Sequence, residues 1–152
     1  MPEIVYLDLC CFKRPFDDAR FDRIRREAEA VAEILEAVQQ GRLRLVRSPA
    51  HDFENERNPR EDRRLATRIW LEAADLRVEA DPAIERRARD LATLGFGTLD
   101  AFHLAFAEHA RAHWFVTTDD GIVKRAAIHR DKLHVIVVAP DGLSSPAGGN
   151  TQ

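Results

Sequence analysis

The chain has 152 residues, 45% of them hydrophobic, with 23 Lys plus Arg against 26 Asp plus Glu and a formal net charge of -3. This length fits a single domain, expected over residues 1–140, and the apolar share is enough for a real core, which excludes general disorder. The charge balance excludes a strongly basic nucleic-acid coat, although a local basic rim around an acidic centre is compatible with it.

No apolar run reaches transmembrane length and no signal-peptide pattern opens the chain, so no membrane association and a cytoplasmic location are expected. The two cysteines, Cys10 and Cys11, are adjacent. They make neither a disulfide framework nor the Cys-x-x-Cys spacing of a redox or zinc site.

"IVYL" (4–7) is β-branched and aromatic without polar alternation, which predicts a strand covered on both faces. From 23 to 38, Ile24, Ala28, Val31, Leu35 and Val38 share one helical stripe, and Gly41 ends that helix region. "RLRLV" (42–46) alternates as a strand does. Ser48-Pro49 then opens a helix, with Ser48 as cap and Pro49 in the first turn. That helix carries Asp52, Phe53 and Glu54 and should stop near Asn58-Pro59.

A further helix is expected from about 60 to 74 with Leu65, Ile69 and Ala73 inward, then a weak strand at 76–80. Asp81-Pro82 opens the next helix, with Ile84, Ala88 and Leu91 inward and Gly95 beyond its end. Residues 95–112 read as a glycine-flexed loop feeding a strongly apolar helix, capped by Thr98, with Leu99, Phe102 and Phe106 buried. "WFVTT" (114–118) is a strand, 122–128 a short helix and "HVIVV" (134–138) the last strand. Residues 141–152 have little to anchor them and are expected to form a flexible tail. Strands alternating with helices predict an α/β fold with a mostly parallel sheet flanked by helices.

Active sites of such sheets gather beyond the carboxyl ends of the strands. Asp8 follows "IVYL" and Asp119 follows "WFVTT", so the two carboxylates converge if those strands are neighbours. Asp100 lies in the first turn of its helix, where the positive helix end favours an acid. Glu54 lies about one turn into its own helix and can reach the same rim. Four packed carboxylates repel and raise one another's pKa values, and a hard cation relieves that cost. Carboxylates suit Mg²⁺ or Mn²⁺, which polarise a phosphate oxygen and generate a nucleophilic water.

Four blocks, "IVYLDLCCFKRPFDD", "LVRSPAHDFENERNP", "LGFGTLDAFHLAFAEHARA" and "WFVTTDDGIVKRA", together resemble PIN-domain ribonucleases. The likeness includes the VapC-like toxins of type II toxin–antitoxin systems. The blocks stand in family order and span roughly residues 4–138. The resemblance implies a three-layer PIN-like sandwich and an endoribonuclease that uses Mg²⁺ or Mn²⁺. It implies catalytic Asp8, Glu54, Asp100 and Asp119, with Asp8, Asp100 and Asp119 as metal ligands. It further implies RNA as substrate, a homodimer, and a small antitoxin protein as partner.

Supporting roles fall to Asp120, which joins the site or only caps the following helix, and to Thr117, placed to hydrogen-bond a site carboxylate. Arg14 reaches phosphate or is an ordinary surface arginine. His103, one turn after Asp100, ties that carboxylate in place, sits in a dimer contact or is a plain core histidine. His51 and Asp52 depart from the aliphatic residues usual there and either face solvent or disturb the groove. Cys10 and Cys11 are read as packing residues that position Asp8.

Two other readings compete. One is a fold-conserved RNA-binding or interaction module without catalysis, which the full acidic set opposes. The other is a metal-dependent phosphatase, which commonly wants Asp-x-Asp after the first strand, where this chain has Cys10.

Overall fold

Alternation along β1 (Glu3–Leu7) divides the molecule into two cores. The computed structural model describes residues 1–143. In chain order β1 is followed by α1 (Leu9–Lys13), α2 (Asp22–Gln39), β2 (Leu43–Arg47), α3 (Pro49–Glu56), α4 (Glu61–Glu72) and β3 (Leu76–Arg77). Then come α5 (Pro82–Thr93), α6 (Thr98–His109), β4 (Trp114–Val116), α7 (Asp120–Ile128) and β5 (Ile136–Val138).

Tyr6, with Val46 and Phe115, packs under α5, α6 and the inward residues Ile122 and Ala126 of α7. Val5 and Leu7, with Leu45 and Val116, pack on the other side beneath Val31, Ile34 and Leu35 of α2, Leu71 of α4, and Leu9 and Cys11 of α1. Helices therefore cover both faces, as the unbroken apolar run of β1 requires.

The five strands lie in the order β3-β2-β1-β4-β5 and every pair is parallel. This is the three-layer, PIN-like α/β sandwich expected from the sequence. Strand order runs outward from β1 in both directions, so the switch point falls between β1 and β4. In open α/β sheets ligands bind beyond the strands' carboxyl ends at such a point. Gly41 (φ 77°) and Gly95 (φ 104°) take left-handed backbone where α2 and α5 end.

Several local expectations are corrected. α1 was not foreseen; it forms because Asp8 caps it and its apolar face closes on the core. α6 is capped by the backbone of Gly97, and Thr98 is its first residue instead of its cap. β3 has two residues, shorter than the run 76–80 allowed. α4 presents a different face from the one expected. Leu65 is 46% and Ile69 67% exposed, whereas Leu71 is 2% exposed and Thr67 is buried. Both stripes have helical spacing, and contact with β2 and with α1 selects the second.

That choice is testable. Leu71→Ala should cost about 2–4 kcal/mol and Ile69→Ala less than about 0.5 kcal/mol. Urea midpoints of the two variants measure this, and equal losses would refute the assigned face.

Beyond β5, Pro140 and Leu143 are buried, and α2 packs against the 3-10 turn Pro140–Gly142. The remainder of the expected tail, 144–152, lies outside the described residues. No helix among the described residues is long and apolar enough to cross a membrane.

Candidate metal centre

β1 and β4 pair with Leu7 opposite Val116, so the acids that follow them start from adjacent strand ends. The backbone N–H of Asp8 donates to the Val116 carbonyl at 2.8 Å, which extends the pairing to the acid itself. Asp8 Oδ1 accepts from the N–H of Leu9 at 2.8 Å and caps α1. Its Oδ2 accepts from Thr117 Oγ1 at 2.7 Å. Asp8 is thus held at both oxygens, and capping and site placement are compatible. Thr117 links the two strand ends, because its Oγ1 also accepts from the Asp119 N–H at 3.1 Å.

Asp119 caps α7, with Oδ1 accepting from Gly121 N at 2.8 Å and Ile122 N at 3.2 Å. Asp120 turns elsewhere. Both of its oxygens are bound by Arg23 of α2, at 2.8 and 2.7 Å, and this pairing holds its carboxyl below the usual range. Arg23 also reaches the Thr118 carbonyl at 3.1 Å and Glu27 at 3.2 Å. Glu27 is only 2% exposed and meets Arg14 at 3.1 Å on its other side.

Arg14 also pairs with Asp17 at 3.1 Å, so its guanidinium is committed inside the protein. Sequence reasoning missed Glu27. Its signal was a carboxylate next to Ala28 on the inward side of α2, where burial demands paired cations.

Asp100 enters from the first turn of α6 and is half-buried. Burial raises its carboxyl from 3.8 to about 6; Asp8 adds to the rise, His103 opposes it, and Asp119 and Glu54 add further. Asp8, Asp119 and Glu54 therefore each act on Asp100 electrostatically.

Glu54 enters from α3. Ser48 caps that helix through its side chain, as the Ser-Pro pair predicts. Glu54 Oε1 lies 2.9 Å from His103 Nε2, so His103 serves Glu54 instead of Asp100. His103 Nδ1 lies 2.6 Å from the Tyr6 hydroxyl, which lies 2.7 Å from Ser48 Oγ.

His51 neither faces solvent nor disturbs the groove. It is buried and stacked on Tyr6 with ring centroids 4.4 Å apart. Its Nδ1 accepts from the Ser48 N–H at 3.1 Å and its Nε2 donates to the Leu7 carbonyl at 2.7 Å. Burial, with His103 nearby, pushes its pKa down to about 3, so the ring stays neutral. Asp52 pairs with Arg47 at 3.0 Å.

The cysteines fasten α1 to β4. The Thr118 N–H donates to Cys10 Sγ at 3.4 Å, and Cys11 Sγ donates to the Val116 carbonyl at 3.2 Å. Burial pushes the Cys11 thiol well up, which is unsuited to a thiolate nucleophile.

Asp8, Glu54 and His103 each bring a ligand atom within 4.8 Å of the others, a cluster able to coordinate a divalent metal ion. The donor set fits a hard cation. It is dominated by carboxylate oxygens, and the Asp100 carboxyl, raised first by burial and then by its acidic neighbours, carries a penalty that a divalent ion relieves.

No protein-family model matches the chain, and no curated protein matches it. Among solved structures, the crystal structure of FitAcB from Neisseria gonorrhoeae is similar, with a TM-score of 0.55 and 16% sequence identity, covering 90% of this chain and 97% of that chain. At that identity the likeness shows the fold, and this chain has the PIN-like sandwich with an acidic cluster at the carboxyl ends of its central strands.

Proposed function

We propose that the protein is a Mg²⁺- or Mn²⁺-dependent endoribonuclease, the toxin half of a VapC-like pair acting in the cytoplasm. The observation that carries this reading is the cluster of Asp8, Glu54 and His103, with Asp100 beside it under the influence of Asp8, Asp119 and Glu54. Asp8, Asp100 and Asp119 would hold the ion, and Glu54 would accept a proton from the attacking water. When bound, the ion polarises a phosphate oxygen and makes water nucleophilic at neutral pH.

The chain's own residues supply positioning. Thr117 and the first N–H of α1 fix Asp8, and the N–H groups at the start of α7 fix Asp119. Phe53, beside Glu54 in sequence, is exposed, and the Arg57 guanidinium lies 3.6 Å over its ring. An aromatic face with a cation suits an unpaired base and its phosphate, which supports RNA with single-stranded segments as substrate.

The resemblance of the four sequence blocks to VapC-like toxins supports a small antitoxin as protein partner. The exposed Leu65 and Ile69 supply apolar surface for a partner or for the second copy of a homodimer.

The test is a panel of labelled RNAs and DNAs incubated with EDTA, Mg²⁺ or Mn²⁺, beside Asp100→Asn. Endonucleolytic RNA cleavage that requires metal and disappears in the variant is the expected result. Cleavage that persists in EDTA or in the variant would overturn the mechanism.

A further inference from the structure

The tautomer of His103 decides how the cluster of Asp8, Glu54 and His103 works. His103 is 1% exposed, and both ring nitrogens have a fixed neighbour. Nε2 faces the Glu54 carboxylate at 2.9 Å. An ionised carboxylate only accepts hydrogen bonds, so Nε2 must carry a hydrogen. The other nitrogen, Nδ1, is closed by the Tyr6 hydroxyl 2.6 Å away, which donates to it in the neutral ring and accepts from it in the imidazolium.

Burial raises the pKa of Tyr6 well above its ordinary value, so its phenol keeps a proton to give. The Tyr6 hydroxyl also shares a hydrogen bond with Ser48 Oγ at 2.7 Å, and Ser48 Oγ accepts from the His51 N–H at 3.4 Å. In the neutral ring and in the imidazolium alike, both nitrogens of His103 are engaged within the chain Ser48–Tyr6–His103–Glu54. No nitrogen lone pair of His103 is left for a metal ion.

We infer that His103 is a positioning residue: with Tyr6 and Ser48 it aims the Glu54 carboxylate into the acidic site, and metal coordination is left to oxygen. The three supporting side chains come from the interior end of β1, the cap of α3 and the second turn of α6. α6 therefore supplies one acid, Asp100, and the support of another one turn on. Buried partners that orient a site carboxylate typically change metal affinity or activity by about 10- to 100-fold when removed. The inference rests on the metal-centre reading, and the experiment separates the two.

Two-bond ¹H–¹⁵N spectra of the ¹⁵N-labelled full chain are expected to show His103 with its hydrogen on Nε2, and that signal should survive addition of Mg²⁺. Calorimetry with Mn²⁺ alone should show affinity lower by about 10- to 100-fold in His103→Ala and partly restored in His103→Gln, whose amide can still donate to Glu54. Tyr6→Phe, which removes one oxygen and keeps the ring, should lower Mn²⁺ affinity by about 3- to 10-fold as the imidazole loses its clamp. It keeps the inference testable if His103→Ala folds poorly.

Loss of the Nε2 hydrogen on adding Mg²⁺, or a His103→Gln variant no better than His103→Ala, would make His103 a ligand and overturn the inference. Native Mn²⁺ affinity in Tyr6→Phe would overturn it too. Absence of Mn²⁺ binding by the native chain, with the Nε2–H signal intact, would instead overturn the metal-centre reading beneath it.

Discussion

Asp8→Asn is expected to lower metal-dependent RNA cleavage by about 10²- to 10⁴-fold, corresponding to the several kcal/mol that a metal site supplies to the transition state. The fold should survive. Asparagine keeps a carbonyl oxygen for the Leu9 N–H, so α1 keeps its cap. Its amide replaces the oxygen facing Thr117, whose hydroxyl can rotate and accept instead of donate. What is lost is one negative charge beside Asp100, at the place where a cation must be held.

Asp8→Ala should lose cleavage to the same degree and also destabilise the protein by about 1–2 kcal/mol, because the cap disappears and a buried threonine hydroxyl loses its acceptor. Initial cleavage rates and thermal melts of both variants measure this. If Asp8→Asn keeps native cleavage within tenfold, Asp8 is a structural cap and not a ligand. If Asp8→Asn unfolds, an amide cannot take the place of the oxygen that faces Thr117.

Asp100 should make the metal-free protein less stable as pH rises. Its carboxyl is raised to about 6 in the native state and sits near 3.8 in the unfolded chain. The native state therefore holds the proton more tightly. Below about pH 4 both states are protonated and there is no penalty. Between about pH 4 and 6 the unfolded chain ionises first and stability falls. Above about pH 6 both states are ionised and the full penalty remains. Two pKa units correspond to roughly 3 kcal/mol, reduced to about 1–2 kcal/mol for a group that solvent partly screens.

Asp100→Asn should accordingly stabilise the metal-free protein by about 1–2 kcal/mol at pH 7 and leave it unchanged at pH 4. Urea unfolding in EDTA across this range is the measurement. Mn²⁺ at 100 times its dissociation constant should stabilise the native chain at pH 7 by about 2.7 kcal/mol. A pH-independent difference between native and variant would detach Asp100 from the acidic cluster.

The alternation of strands and helices was legible in the chain because periodicity is local. "IVYL" is apolar at every position and became a strand buried on both faces. Ser48-Pro49 and Asp81-Pro82 opened helices where cap chemistry places them. Asp8 and Asp119 were found at strand ends because an acid after an apolar run is visible without coordinates.

The face of α4 was not legible. Residues 65, 69 and 73 and residues 67, 71 and 74 have almost the same spacing, and packing against α3, β2 and α1 distinguishes them. Glu27 was missed because its partners, Arg14 and Arg23, are meaningful only once the region around Arg14 folds against α2.

The sequence by itself determined the α/β class, the positions of the strand ends and the four acids that follow or face them. Short-range spacing and the chemistry of caps and turns are written within a few neighbouring residues. Tertiary structure alone decided what those acids touch. Glu54 and His103 are 49 residues apart, Tyr6 and His103 97, and Asp8 and Thr117 109. Hydrogen bonds over such separations follow from strand order and helix packing. The adjacency of β1 and β4 brings Asp8 to Asp119, and the seat of α6 against α3 gives His103 to Glu54.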